Sequence, residues 1–279
     1  MSGDASLTLA LSQTGIRKTE SYRDYEIRHG TAVFSALPCG ERLLKRPLAP
    51  KLCVDHCVGM ARLARHRFPA DSISGWLVAL GLGLLAPALV LLFASKAPSV
   101  PIVAVGIMAA GMISAAVRRR FSTGLGFGVL SGALLVALAA FTHARSLSDM
   151  IWIGAAIFVA SVSFAARGAL FARSASDKGW WIGLAVVAGE GALLATAAAS
   201  PGAIPDWLLV LLPAQWAAIA LGHGFDGGNI RAGIAALCAL GGTAGATMIV
   251  ARLWPSRWPY LVMFSTWIGL SALVWHTLD

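Results

Sequence analysis

The chain has 279 residues, of which 57% are apolar and only 13% charged, where an ordinary soluble domain carries roughly 45–50% and about 25%. That imbalance excludes a single water-soluble core. The formal charge of +9 does not point to nucleic acid, because its placement follows the rule that cytoplasmic loops of membrane proteins keep Lys and Arg.

Residues 1–72 form a basic N-terminal region with 11 of the 22 Lys and Arg and 7 of the 13 acidic residues. The stretch Thr19 to His29 is dense in charge and poor in apolar periodicity, and Leu43 to Arg67 is basic with scattered leucines. A largely flexible cytoplasmic segment is expected, with one surface helix near 52–66. No short apolar region ending in a small-residue site marks a cleavable leader. Met60 opens a basic stretch running to Arg67 and is a candidate alternative start, which would leave residues 1–59 out of the native product. A native peptide from residues 1–50 in mass spectrometry excludes that start.

Cys39, Cys53, His56 and Cys57 lie in this region. Zinc sites use closely spaced thiolate and imidazole ligands, usually in two pairs, and this spacing matches no standard finger or ribbon. Reduced cytoplasmic thiols are the expectation, with no metal site and no structural disulfide.

From about residue 73 the chain breaks into apolar runs near 74–95, 98–117, 122–143, 148–171, 178–200, 205–221, 230–252 and 259–277. Each approaches the length of about 20 residues that a bilayer core requires of a helix. Helices are the expected form, because backbone groups in lipid must be bonded within their own segment. The fold expectation is an all-α integral membrane protein, a polytopic bundle of about eight transmembrane helices over residues 73–279, in a bacterial-type inner membrane. With both termini inside, Arg118, Arg119, Arg120, Arg167, Arg173, Lys178 and Arg231 fall on the cytoplasmic side, and Lys96, Arg145, Arg252 and Arg257 on the other. Arg252 and Arg257 fit the last hairpin poorly. Trp76, Trp152, Trp180, Trp181, Trp207, Trp254, Trp258 and Tyr260 sit near expected helix ends, where amphipathic rings prefer the headgroup zone. Trp216, Trp267 and Cys238 sit deeper and are expected to pack.

Glycines at spacing four, Gly124, Gly128 and Gly132 in the third run and Gly241 with Gly245 in the seventh, let backbones approach closely in lipid. They predict that these two helices occupy the centre.

A charge at the middle of a membrane helix costs about 2.5–3.5 kcal/mol on insertion scales. Glu190 is the acidic residue at such a depth, and Gln215, two residues after Pro213, lies level with it on the next run. Glu190 with Gln215, Ser131 and Ser161 is the candidate binding site, a polar layer of the kind a transporter uses. The same residues also serve as interhelical glue if Glu190 is protonated and hydrogen-bonded. His223 and Asp226, in the glycine-rich stretch Gly222 to Asn229, are secondary candidates for a catalytic pair, although so many glycines also make a plain turn ahead of a helix cap.

His143 and His276 lack the facing partner that a membrane haem needs, and no phosphate-binding, prenyl-diphosphate, metalloprotease or serine-hydrolase motif occurs. No cofactor is expected, and the partners expected are the bilayer and either a second copy or a membrane complex. Three functions remain open: a small-solute permease or exporter using Glu190; a non-catalytic subunit, assembly factor or regulator of a membrane complex; and a membrane-embedded lipid or isoprenoid enzyme. An enzyme is the least expected, since few carboxylates, His or Arg gather near one face.

Overall fold

The computed structural model describes residues 70–278 apart from the connections 95–97, 141–146 and 254–257. The N-terminal expectations, including the helix near 52–66 and the group Cys39, Cys53, His56 and Cys57, lie outside the described residues. Every regular element described is helical, as backbone groups in lipid demand.

The first span joins α1 (Ala70–Leu80), a π-helical turn (Gly81–Leu85) and α2 (Ala86–Phe93). Pro87 explains the irregularity. It has no N–H to give to the carbonyl of Gly83 four residues earlier, and the preceding N–H, that of Ala86, reaches back five residues to Gly81. The Gly83 carbonyl is satisfied from outside the helix, by Ser131 Oγ at 2.5 Å.

The next helices are α3 (Ser99–Arg118), α4 (Phe121–Ala140), α5 (Leu147–Ala175) and, after a 3-10 turn (Ser176–Lys178), α6 (Gly179–Ala199). The central helix is α3, which is buried without interruption from Gly106 to Ala116. It touches α1, α2, α4, α5 and α6. Small residues at Gly106, Ala109, Ala110, Gly111, Ser114 and Ala115 give it a slim profile, which in lipid is a main source of helix association. The glycine stripe of α4 does pack inward. A Cβ at Gly128 would lie 2.9 Å from Ser161 Oγ, and one at Gly132 2.7 Å from Ile157 Cγ2.

The chain ends with α7 (Asp206–Leu209), α8 (Pro213–Asp226), α9 (Ile230–Leu253) and α10 (Trp258–Trp275). On α9 the glycine expectation fails: Gly241 and Gly245 are exposed, with nothing within 4 Å of where a Cβ would stand. Its inward face is built from Ala232, Ala235, Ala236, Ala239 and Thr243, so alanine makes the contact that glycine was expected to make. Cys238 is likewise exposed on the outer face and does not pack in the interior.

Among the described residues, seven helices are long and apolar enough to cross a membrane: Ile73–Phe93, Ser99–Arg118, Phe121–Ala140, Ser148–Ala175, Gly179–Ala199, Ile230–Leu253 and Trp258–Trp275. The run expected at 205–221 is different. Its main helix, α8, has 14 residues and a length of about 21 Å, short of the roughly 30 Å of hydrocarbon.

Contacts between helix ends show where that segment goes. One face of the bundle carries Arg118 to Arg120, the α5–α6 turn and the end of α9, where Arg173 Nη1 donates to the Ala251 carbonyl. The start of α1 is there too, since Gly75 abuts Val117 and the Trp76 and Phe127 rings are 4.6 Å apart. The opposite face carries the start of α5 and the end of α8. There Trp152 Nε1 donates to the Ala220 carbonyl at 2.7 Å, and the Trp152 and His223 rings are 4.8 Å apart. Because α6 starts at the arginine face, it ends at the opposite one, the same face on which α8 ends. Residues 200–226 therefore dip into the bundle and return as a re-entrant hairpin. Asn229 Nδ2 donates to the Thr277 carbonyl at 3.3 Å, which puts the end of α10 on that face as well. The start of α1 and the end of α10 thus lie at opposite faces of the bundle, where the eight-run arrangement expects them at one.

A reporter fused after Thr277 and one fused ahead of Ala70 are expected to read opposite sides of the membrane; equal readings would exclude the re-entrant hairpin. Gly128→Leu lowers stability by about 1–3 kcal/mol in detergent unfolding, the usual cost of overpacking, whereas Gly245→Leu leaves it unchanged.

Candidate functional site

The break that makes the hairpin starts from Pro213. In an unbroken helix its N–H would serve the carbonyl of Leu209, and proline has none. The Leu209 carbonyl instead takes the Leu212 N–H at 2.9 Å. The chain passes through Leu212 in extended conformation, and Pro213 occupies the first turn of α8, where a missing N–H is harmless.

Three groups are left over, and each finds a side chain. The Val210 carbonyl would have bonded the Ala214 N–H, but it receives Trp216 Nε1 at 2.6 Å. The Leu211 carbonyl would have bonded the Gln215 N–H, which goes to Leu212 at 3.0 Å, and it receives Trp267 Nε1 from α10 at 3.1 Å. The Ala214 N–H donates to Glu190 Oε2 at 2.9 Å. Glu190 therefore caps the N-terminus of α8 from across the bundle, with its carboxylate against the positive end of the helix dipole.

Glu190 lies 11 residues beyond Gly179 and 9 before Ala199 on α6, about 17 Å and about 14 Å from the two ends at 1.5 Å per residue. The half-helix thus points its N-terminus at mid-depth in the bundle. Discontinuous helices that aim a dipole end at the midplane are how several transporter folds build their sites.

The sequence sets Arg167 near the end of its helix and gives it no role. In the structure it lies eight residues before Ala175, about 12 Å in from that end, at nearly the depth of Glu190. Arg167 Nη2 donates to Thr243 Oγ1 on α9 at 3.1 Å, and the guanidinium carbon lies 5.8 Å from the centre of the Phe164 ring. No hydrogen bond joins Arg167 and Glu190 among the described residues. The apolar run expected at 148–171 ends just past Arg167, whereas α5 continues to Ala175, so the apolar pattern alone carries no signal of its depth.

The other candidate residues are spread out. Gln215 is half-buried beside Ala214, so the carboxylate meets the backbone next to the glutamine and not its amide. Ser131 is engaged with Gly83. Ser161 faces Gly128 in the seam between α4 and α5. His223 Nδ1 donates to the Gly228 carbonyl at 2.5 Å within its own turn, and Asp226 is exposed. The rest of that stretch is cap chemistry: Gly227 has φ +67 and its N–H bonds the His223 carbonyl, and Asn229 Oδ1 accepts from the Arg231 N–H at 2.9 Å. Among the described residues no group of His, Cys, Asp and Glu is arranged to hold a metal ion.

An apolar cleft of about 660 Å³ opens beside this site between α2, α3 and α6, lined by residues such as Pro87, Ile102, Val105, Val187 and Gly191. It reaches the level of Glu190, the neighbour of Gly191.

No family model matches the chain, and no curated protein or solved structure matches it either.

Trp267→Phe removes the donor from the Leu211 carbonyl. The expected cost is about 1–2 kcal/mol in detergent unfolding, with a larger loss for the pair Trp216→Phe and Trp267→Phe. No change in the double variant would mean the break does not depend on the indoles.

Proposed function

We propose that the protein is a small-solute permease or exporter of a bacterial-type inner membrane, with Glu190 as its coupling or substrate residue. The observation that carries this reading is the re-entrant α8, whose N-terminus stops halfway across and meets the Glu190 carboxylate. A helix that served only to fill the bundle would gain nothing from ending there, since the break leaves backbone groups that other side chains must satisfy. The arrangement matches the general chemistry of transporter sites, where irregular backbone at depth lines a solute or ion position.

Charge supports an orientation with the arginine face in the cytoplasm. With the hairpin re-entrant and seven crossings, chain order assigns Arg252 and Arg257 to the side of Arg118, Arg119, Arg120, Arg173 and Lys178, and Lys96, Arg145 and Arg231 to the other. The two arginines that fit the eight-crossing arrangement poorly then obey the positive-inside rule. This orientation has the N-terminal region in the cytoplasm and the end of α10 outside.

A second reading, a subunit or regulator of a membrane complex, is favoured by one observation: Gly241 and Gly245 present an unpacked small-residue face to the surroundings, the surface against which another membrane helix packs.

The deciding variant is Glu190→Gln. Its amide oxygen still accepts from Ala214, so the cap and the fold are kept while the charge is lost. In proteoliposomes loaded with a pH-sensitive dye and challenged with small organic acids, amines and neutral solutes, wild-type protein moves one class, and Glu190→Gln moves it at least about tenfold more slowly at an unchanged unfolding midpoint, a barrier difference near 1.4 kcal/mol. Equal flux in the two proteins would overturn the role of Glu190.

A further inference from the structure

Most hydroxyls in this bundle are spent on their own helices. Ser114, Thr196, Thr243, Thr247, Ser265 and Ser271 each donate to the carbonyl four residues earlier, the usual resort of Ser and Thr in membrane helices. On α5 the Oγ atoms of Ser161 and Ser163 are fully buried and have no hydrogen-bond partner. Ser161 is sealed in the seam against Gly128, which leaves Ser163 as the one with a polar neighbour in the same state.

One turn further along the same face of α5, Arg167 Nη1 is also buried and without a partner. The other terminal nitrogen is accounted for, because Thr243 Oγ1 gives its own proton to the Ala239 carbonyl at 2.8 Å and keeps a lone pair for Arg167 Nη2. Leaving a guanidinium N–H and a hydroxyl unsatisfied in a low-dielectric interior is costly, and a membrane interior has no bulk water to compensate. Native structures leave few such groups, and each one asks for a missing acceptor.

The acceptor is not supplied from within. Glu190 is the carboxylate at this depth, and its Oε2 is held by the α8 N-terminus. What the pair offers is a cationic N–H and a neutral O–H on one helix face. Two donors one turn apart on the same helix face, one of them cationic, suit a group with two acceptor oxygens and a single negative charge. Charge-assisted bonds of Arg to carboxylate are the strong members of this class. A doubly charged phosphate would cost more to desolvate for the same two donors.

We propose that Ser163 Oγ and Arg167 Nη1 bind the carboxylate of a small organic acid, in competition with the negative charge of Glu190. This deepens the permease reading and rests on it for its transport role, but binding is measurable without transport. The probe is benzoate, with neutral benzamide as the control of equal shape, titrated against the full chain purified in detergent at constant ionic strength. Unfolding is followed by tryptophan fluorescence, since a ligand that binds the folded state raises the midpoint in proportion to its occupancy.

Benzoate raises the midpoint and benzamide does not. Arg167→Gln abolishes the benzoate shift. Arg167→Lys and Ser163→Ala each fold and weaken binding about tenfold, the loss of one charge-assisted or one neutral hydrogen bond with its geometry. Glu190→Gln retains binding or tightens it, because the competing charge is gone. A benzoate shift no greater than that of benzamide would overturn the site, as would a shift that survives in Arg167→Gln. Should Arg167→Gln fail to fold, unchanged benzoate binding in both Arg167→Lys and Ser163→Ala would overturn it instead. The two readings fail separately: benzoate binding through Arg167 with flux independent of Glu190 removes the transport role alone, and Glu190-dependent flux without benzoate binding removes the carboxylate site alone.

Discussion

In the hydrocarbon of a bilayer a backbone N–H or C=O with no partner has no water to turn to. The departures from regular helix in this bundle are organised by that one constraint. Pro87 frees the Gly83 carbonyl and Ser131 on α4 takes it; Pro213 breaks the segment after α6, and Trp216, Trp267 and Glu190 meet the groups it exposes. Ser131, Trp216, Trp267 and Glu190 therefore stand where the two prolines leave backbone groups to be satisfied. Glu190 differs from the rest in being ionisable, which makes the same contact a cap and a switchable charge.

Around these breaks the bundle is held by slender surfaces. Apolar packing gains little in lipid, because the tails are as apolar as leucine, so close backbone approach supplies the contact. The α3–α4–α5 seam uses glycine for this, and the inner face of α9 uses alanine. A closely packed three-helix centre next to a short re-entrant helix gives a continuous wall and a discontinuous one, with Arg167 on the first and the α8 N-terminus on the second.

Much of this was legible in the residues. Run length and composition give membrane helices, the third-run glycines give the α4 seam, and the cost of a buried charge singles out Glu190. The hairpin was not legible from hydropathy, because residues 205–221 are as apolar as a crossing helix and nearly as long. Two physical clues were present: Pro213 in the middle of that run, and Arg252 and Arg257 on what would have been the wrong side. Arg167 was hidden for a different reason. Its distance from the membrane surface depends on how far α5 extends past the lipid, which the pattern of apolar residues does not fix. The outward glycines of α9 misled because spacing shows that a face is smooth without showing which way it points.

The depth of Glu190 has an electrical consequence. A carboxyl about midway through the insulating layer sits near the midpoint of the membrane potential, so a proton or ion reaching it from one side crosses roughly half of the voltage. A full crossing is worth about 2.3 kcal/mol per charge at 100 mV, and half of that, about 1.2 kcal/mol, shifts occupancy nearly tenfold. Under the proposed coupling role, occupancy of this position would depend on voltage as well as concentration, and an energised membrane would bias it toward whichever face delivers the cation down the field.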